Sequence, residues 1–248
     1  MIKEIALHRS IRKYKTDAIA PDVLHEIITA ATRASNTGNM QLYSIVVTTD
    51  SEVKHALSPC HFGQAMVEQA PVVMTFCADI NRFDHWCRLR DAEPAYDNFM
   101  WFVNAATDAL LASANAAIEA ESRGLGICYL GTTVYNARKI CEVLDLPTGV
   151  IPVTTIVMGY PEHMPELTDR LPVEAVVHYD RYNDYTDAKI DELWAEKEAS
   201  QLTAQLLEQN SLPNLAQIFT KRRYTKEDNI PVSRAYLELL KEQGFFNQ

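Results

Sequence analysis

Residues 98–131 read NFMWFVNAATDALLASANAAIEAESRGLGICYLG. The part from 98 to 123 is the longest helical signal in the chain. Met100, Val103, Leu110, Leu111, Ala114, Ala117 and Ile118 supply an apolar face, and the many alanines make much of the remaining circumference apolar too. A helix apolar nearly all round is buried, so this one belongs at the centre of the fold or in a subunit interface. Behind it come Gly124 and Gly126, a short strand-like piece Ile127–Leu130, and Gly131. Glycine in or beside a strand marks close approach of a ligand or of another backbone. A helix C-cap followed by a tight turn accounts for the same pattern.

Outward from this stretch, helices alternate with few strands. Towards the N-terminus, 2–9 reads as a short helix and 21–34 as a longer one, with Pro21 at its first position and Val23, Leu24, Ile27, Ile28 and Ala31 at helical spacing. Tyr43–Thr49 is β-branched and reads as a strand. Val53–Leu57 and Gln64–Gln69 read as short helices. Val72–Ala78, VVMTFCA, is a continuous apolar run of strand length, which suits a buried central strand. Residues 81–97 mix charge with Phe83, Trp86 and Tyr96 and read as a surface loop or partly helical flap, its aromatics covering a substrate or merely packing. Towards the C-terminus come a helix at 137–144, a strand at 153–159, an irregular proline-rich stretch, one helix over 189–208, and a last helix over 232–243 capped by Gly244. No G-x-G-x-x-G follows a strand, which argues against a Rossmann dinucleotide site.

The composition excludes several classes. With 47% hydrophobic and 23% charged residues over 248 positions, the chain buries a core of useful size. A formal net charge of -10 speaks against nucleic acid as a partner. No run of about 18 apolar residues is present to span a membrane, and the N-terminus lacks the apolar stretch of a signal peptide. Five cysteines without a C-x-x-C fit reduced thiols, hence a cytoplasmic protein rather than a disulfide framework. Cys60, His61, His85 and Cys87 have metal-ligand chemistry but not zinc-finger spacing, and no metal is expected.

Three further segments bear on chemistry. His8-Arg9-Ser10-Ile11-Arg12 places cations and a hydroxyl within five residues, a set able to hold a phosphate through charge-assisted bonds; a solvated basic patch is the plainer reading. Ser35-Asn36-Thr37-Gly38-Asn39-Met40-Gln41 is a small polar loop that lets backbone approach a flat ligand, and also an ordinary helix-to-strand loop. Arg170 sits in a proline-flanked loop and means little alone.

Taken in order, H-R-S-I-R, the Ser/Asn-rich loop, Gly63-Gln64, G-L-G-x-x-Y-L-G at 124–131, M-G-Y-P at 158–161 and R-L-P at 170–172 resemble the FMN-dependent nitroreductases, and most closely their larger NADPH-dependent nitroreductase and NADPH-flavin oxidoreductase subgroup. The likeness runs over nearly the whole chain. It implies an α+β fold with a mainly antiparallel central sheet flanked by helices, an intertwined homodimer with the 98–123 helix in the interface, and a single domain 1–248 whose C-terminal extension starts near 185. It implies FMN as cofactor and NADPH or NADH as co-substrate, NADPH being favoured. Hydride would pass in ping-pong fashion through flavin N5 to a nitroaromatic, a quinone or free flavin. Carried over by position, His8, Arg9, Ser10 and Arg12 hold the FMN phosphate and ribityl chain, Asn36 is a small polar contact, and Gln64 hydrogen-bonds the flavin ring. Tyr129, Leu130 and Gly131 lie against the ring, and Arg170 reaches the phosphate. No side chain is assigned as catalytic. Thr168 departs from the subgroup, which has lysine there. Lys221, Arg222 and Arg223 are candidates for the NADPH 2′-phosphate. A flavin-binding sensor or carrier without turnover, or a same-fold enzyme of different reaction such as a reductive dehalogenase, remains the alternative.

Overall fold

The computed structural model describes residues 1–247. They divide into two compact units, 1–166 with 232–247, and 167–231. The first unit is built on one antiparallel sheet of four strands, β1 (Tyr43–Thr48), β2 (Val72–Asp79), β3 (Gly126–Leu130) and β4 (Val150–Gly159), in the order β1-β2-β4-β3. Its helices are α1 (Lys3–Ala6), α2 (Pro21–Thr32), α3 (Ser51–Leu57), α4 (Met66–Gln69), α5 (Asn81–Arg88), α6 (Phe99–Ser122) and α7 (Ala137–Val143). This is the α+β arrangement expected, and β2 is buried along its whole length.

Alternation along the strands sorts the core into two layers. Val72, Met74, Phe76, Ile127, Ile156 and Met158 meet Ile27 and Ala31 of α2 and the alanines of α6. Val73, Cys128, Leu130 and Val157 point the other way, towards Leu57 of α3, Met66 and Val67 near α4, and Ile140 of α7.

Helix α6 turns most of the face read from sequence outward, Ala117 of that face being buried and Ile118 half-buried. Its buried residues are Ala105, Asp108, Ala109, Ala112, Ser113, Ala116, Ala117 and Ala120, whereas Phe99, Met100, Val103, Leu110 and Leu111 are exposed. Small side chains let the helix axis approach the sheet closely, so bulk goes outward. Segment 81–97 is helical over α5 and irregular beyond it. Phe83 meets Tyr96 at 5.1 Å and Trp86 at 5.5 Å, and Tyr96 meets Trp101 at 4.3 Å, so all three flap aromatics pack against another ring. Strand β4 starts at Val150, before Pro152; the proline is tolerated where the β2–β4 register shifts between Phe76 and Cys77.

The second unit contains α8 (Asp187–Ala199), α9 (Gln201–Asn210) and α10 (Leu215–Ile218). The single helix expected over 189–208 is broken at Ser200, which adopts extended φ/ψ and accepts from the Thr203 N–H at 3.2 Å, capping a new start. Helix α11 (Lys226–Glu242) leads back into the first unit and is longer than the expected 232–243. Gly244 follows it with φ +81°. All five cysteines are free thiols. Among the described residues no helix is long and apolar enough to cross a membrane.

Candidate functional site

The H-R-S-I-R segment lies along β3. Ser10 bridges Ile127 in parallel, and the Ile11 N–H donates to the Ile127 carbonyl at 2.8 Å. Further on, Tyr14 bridges Pro161, Lys15 N–H donates to Tyr160 O at 2.9 Å, and Glu162 N–H donates to Lys13 O at 3.1 Å. Two glycines permit this. A Cβ on Gly126 would stand 2.4 Å from Ile11 Cγ1, and one on Gly159 would stand 2.5 Å from Pro71 Cδ. The buried Tyr14 hydroxyl locks the join by donating to Ile11 O at 2.6 Å, with Val157 O at 3.2 Å. Burial drives its pKa far up, so it stays a donor. The glycine-rich, M-G-Y-P and H-R-S-I-R segments are thus one structure.

The basic residues divide. His8 Nδ1 meets Glu121 Oε1, near the end of α6, at 2.7 Å. Burial raises the Glu121 carboxyl, and the His8 contact offsets part of that. Arg9 lines a half-open cavity of about 260 Å³ with Glu121, Ser122, Gly124 and Gly126, and its buried Nε has no partner. Arg12 is exposed; its charge and the Ser10 hydroxyl both act on the buried Cys128 thiol, pulling down a pKa that burial raises. Among the described residues no carboxylate pairs with Arg9 or Arg12 within 4.0 Å.

The polar loop is held by groups the sequence reading missed. Asp108, 1% exposed on α6, accepts from Thr37 N at 2.9 Å, Thr37 Oγ1 at 3.2 Å and Leu42 N at 3.2 Å. Arg82 of α5 donates to the carbonyls of Gln41 and Tyr43. Between these anchors Gly38, Asn39 and Gln41 take φ of +57°, +56° and +55°. Asn36 turns inward on its own loop, accepting from Gln41 N at 3.1 Å and donating to Ala34 O at 3.3 Å.

Gln64 follows a turn in which Phe62 and Gly63 have φ of +57° and +66°. Its N–H donates to His61 O at 3.2 Å. His61, wholly buried, joins its Nδ1 to Thr132 Oγ1 at 2.8 Å, and Asn136 Nδ2 donates to Cys60 O at 2.9 Å. The Gln64 turn is therefore tied to the segment just after Gly131. Burial pulls the His61 pKa down to about 4. Tyr129 is part-exposed with its hydroxyl on Ser113 at 3.2 Å; Leu130 is buried in the core, so only its backbone is available to a ligand; Gly131 is exposed, with open space where a Cβ would stand. Ser10 meets β3 near its start, at Ile127, and His61 meets Thr132 in the turn that follows its other end.

Arg170 belongs to the second unit, where its guanidinium donates to Thr168 Oγ1 at 2.8 Å and Asp169 O at 2.9 Å. The threonine standing where the subgroup has lysine thus engages the arginine itself. In the same unit Lys221 donates to Gln217 at 2.7 Å and Arg223 lies over the Phe219 ring at 5.5 Å.

The fold is that of an α+β protein with one antiparallel sheet, on whose β3 the H-R-S-I-R segment and the paired glycines meet. The chain belongs to the nitroreductase family, whose model matches residues 5–160. It is 34% identical over 188 residues to the FMN reductase (NADPH) of Bacillus subtilis strain 168, covering 75% of this chain and 76% of that one. It is 36% identical over 193 residues to the oxygen-insensitive NADPH nitroreductase of Salmonella typhimurium strain LT2, covering 76% and 78%. In structure it matches a putative oxidoreductase from Bacteroides fragilis NCTC 9343 with a TM-score of 0.97 and 47% identity, over 99% of this chain and 100% of the other.

Proposed function

We propose that the chain is an FMN-dependent oxidoreductase that takes hydride from NAD(P)H, with NADPH favoured, and reduces nitroaromatics, quinones or free flavin. The observation that carries this reading is the convergence on β3: an Arg9 nitrogen buried without a partner and an unpaired Arg12 at one end, an open glycine edge and the clamped Gln64 turn at the other. These residues fit a phosphate-ended cofactor with a flat ring system. His8, Arg9, Ser10 and Arg12 hold the phosphate and ribityl end, Asn36 contributes a polar contact, and Gln64 with the 129–131 backbone borders the ring; Arg170 is a further phosphate contact on the family resemblance alone, its guanidinium being held within its own unit by Thr168 and Asp169. Bound there, FMN supplies the two-electron chemistry. The chain orients it, aims donors and positive charge at it, and leaves its open face to substrates. The names of the B. subtilis and S. typhimurium relatives support the choice of cofactor and reductant.

The reading extends to a cytoplasmic homodimer in which residues 1–248 act as one FMN-binding domain, the part from about 185 being an extension. Exposed Phe99, Met100, Val103, Leu110 and Leu111 on α6 support the dimer, since a row of large apolar side chains calls for cover. Purified protein is expected to be yellow, to release FMN on denaturation, and to bleach at the flavin band when NADPH is added. Recovery of FAD, or a colourless protein indifferent to added FMN, would overturn the proposal. Bound FMN that NADPH does not reduce would favour the sensor or carrier reading.

A further inference from the structure

The turn before Gln64 contains a side chain that packing does not explain. Phe62 adopts φ +57° and ψ +31°, a left-handed conformation that is an outlier for a bulky residue and that glycine or asparagine adopts at far lower cost. Its ring is not buried in return: it is 64% exposed and belongs to none of the core clusters. It meets the Tyr135 ring edge-on, with centroids 6.1 Å apart and planes at 76°. The strain is held from beneath, by His61 on Thr132 and by Asn136 on Cys60. Strain of this kind persists only where surrounding structure over-determines it, and it clusters at functional positions.

We propose that Phe62 is the ledge on which an electron-poor aromatic acceptor stacks, and so a specificity-determining residue for the acceptor. This rests on the flavin reading of the 129–131 edge. Phe62 precedes Gly63 and Gln64, the turn tied to Thr132 next to the open Gly131. The T-shaped contact with Tyr135 braces the ring on one side, and the residue remains 64% exposed. The face of a benzene ring carries negative quadrupole density. A ring depleted by nitro groups or by quinone carbonyls is attracted to that face more than an electron-rich ring is. The left-handed backbone is then the cost of presenting an aromatic side chain outward beside the cofactor edge.

The test compares two acceptors reduced by NADPH through the same holoenzyme: 1,3-dinitrobenzene, which can stack, and hexacyanoferrate(III), which has no ring. In Phe62→Gly the ratio of kcat/KM for dinitrobenzene to that for hexacyanoferrate(III) should fall about three- to tenfold, the size of one aromatic pair. The loss should lie in KM for dinitrobenzene, and Phe62→Trp should recover it. Glycine fits φ +57°, so the variant folds, and its melting temperature checks this. An unchanged ratio in Phe62→Gly overturns the proposal. So does an equal loss on both acceptors with weakened FMN binding, which would make Phe62 a support of the turn. If wild-type protein reduces neither acceptor with NADPH, the flavin reading fails first and takes this inference with it.

Discussion

The position of a Cβ on Gly126 lies 2.4 Å from Cγ1 of Ile11 and 2.7 Å from its Cβ, so these two residues cannot both carry side chains at their present separation. The Ile11 Cβ is fixed to backbone and cannot swing aside. Gly126→Ala must push the Ser10–Arg12 segment off β3 or bend the strand. Overpacking of this kind costs about 1–3 kcal/mol. Urea unfolding should show that loss, and FMN titration should show weaker binding because Ser10 and Arg12 move. Gly131→Ala, with nothing within 4 Å, is the matched control and should leave unfolding unchanged. Equal stability of the two variants would mean that the close approach constrains nothing.

Asp108 gives the second prediction. Its carboxylate receives two backbone N–H groups and one hydroxyl across the 37–42 loop. Asp108→Ala leaves those donors unsatisfied in a buried place, at a cost of about 2–4 kcal/mol. Limited proteolysis should then cut within 35–42, and Asp108→Asn, which keeps one acceptor oxygen, should lie between. Resistance to proteolysis equal to wild type in Asp108→Ala would show the loop is held by other means.

These two residues also show how far the sequence reaches. Strands β1 and β2 are legible because β-branched and apolar runs of that length suit little else, and the paired glycines mark the short piece that becomes β3; that H-R-S-I-R pairs with it is not written in either segment. The orientation of α6 is not legible. With alanine on one side and leucine on the other, both faces are apolar, and only the closeness of the sheet decides that the small side goes in. Asp108 looks like a surface charge in an alanine-rich helix until the loop it holds is in view. His61 drew notice for metal chemistry, while its bond to Thr132 spans a gap in sequence that no local pattern encodes. The break at Ser200 depends on one serine choosing its backbone partner over helix continuity.

His61 sets an acid limit on stability. Its ordinary pKa of 6.5 is pulled down to about 4 in the fold by burial. Between those values the unfolded chain binds a proton that the folded chain refuses. Its contribution is therefore fully present above pH 6.5 and is lost as pH falls towards 4, about 3 kcal/mol in all. Chemical denaturation at a series of pH values should give a steeper acid decline for wild type than for His61→Gln, which has no proton to bind. Parallel declines would show that His61 is reached by water in the native state.

The exposed side of α6 gives a prediction about assembly. Light scattering at micromolar concentration should report twice the 28.0 kDa chain mass. Leu110→Glu with Leu111→Glu should shift the protein to the monomer, because two buried charges would face the partner. Wild-type protein at the monomer mass would remove the dimer from the proposal.

Arg12 is the most direct probe of the phosphate end. It is exposed, unpaired with any carboxylate among the described residues, and carried on the segment that Gly126 and Tyr14 pin to β3. A charge-assisted bond to a phosphate is worth roughly 1.5–3 kcal/mol. Arg12→Ala should therefore weaken FMN binding about 10- to 100-fold. The apoprotein should unfold as wild type does, since the side chain supports no core contact. The difference in melting temperature should open only when FMN is saturating, where wild type alone gains the full linkage stabilisation. Arg33 is the control: it is also exposed and follows α2 directly, near the 35–41 loop in sequence, but lies outside every motif assigned to the cofactor. Arg33→Ala should leave FMN affinity at the wild-type value. Equal weakening by both substitutions would mean that diffuse positive charge, not the H-R-S-I-R geometry, holds the phosphate. Unchanged affinity in Arg12→Ala would place the phosphate elsewhere and remove Arg12 from the site.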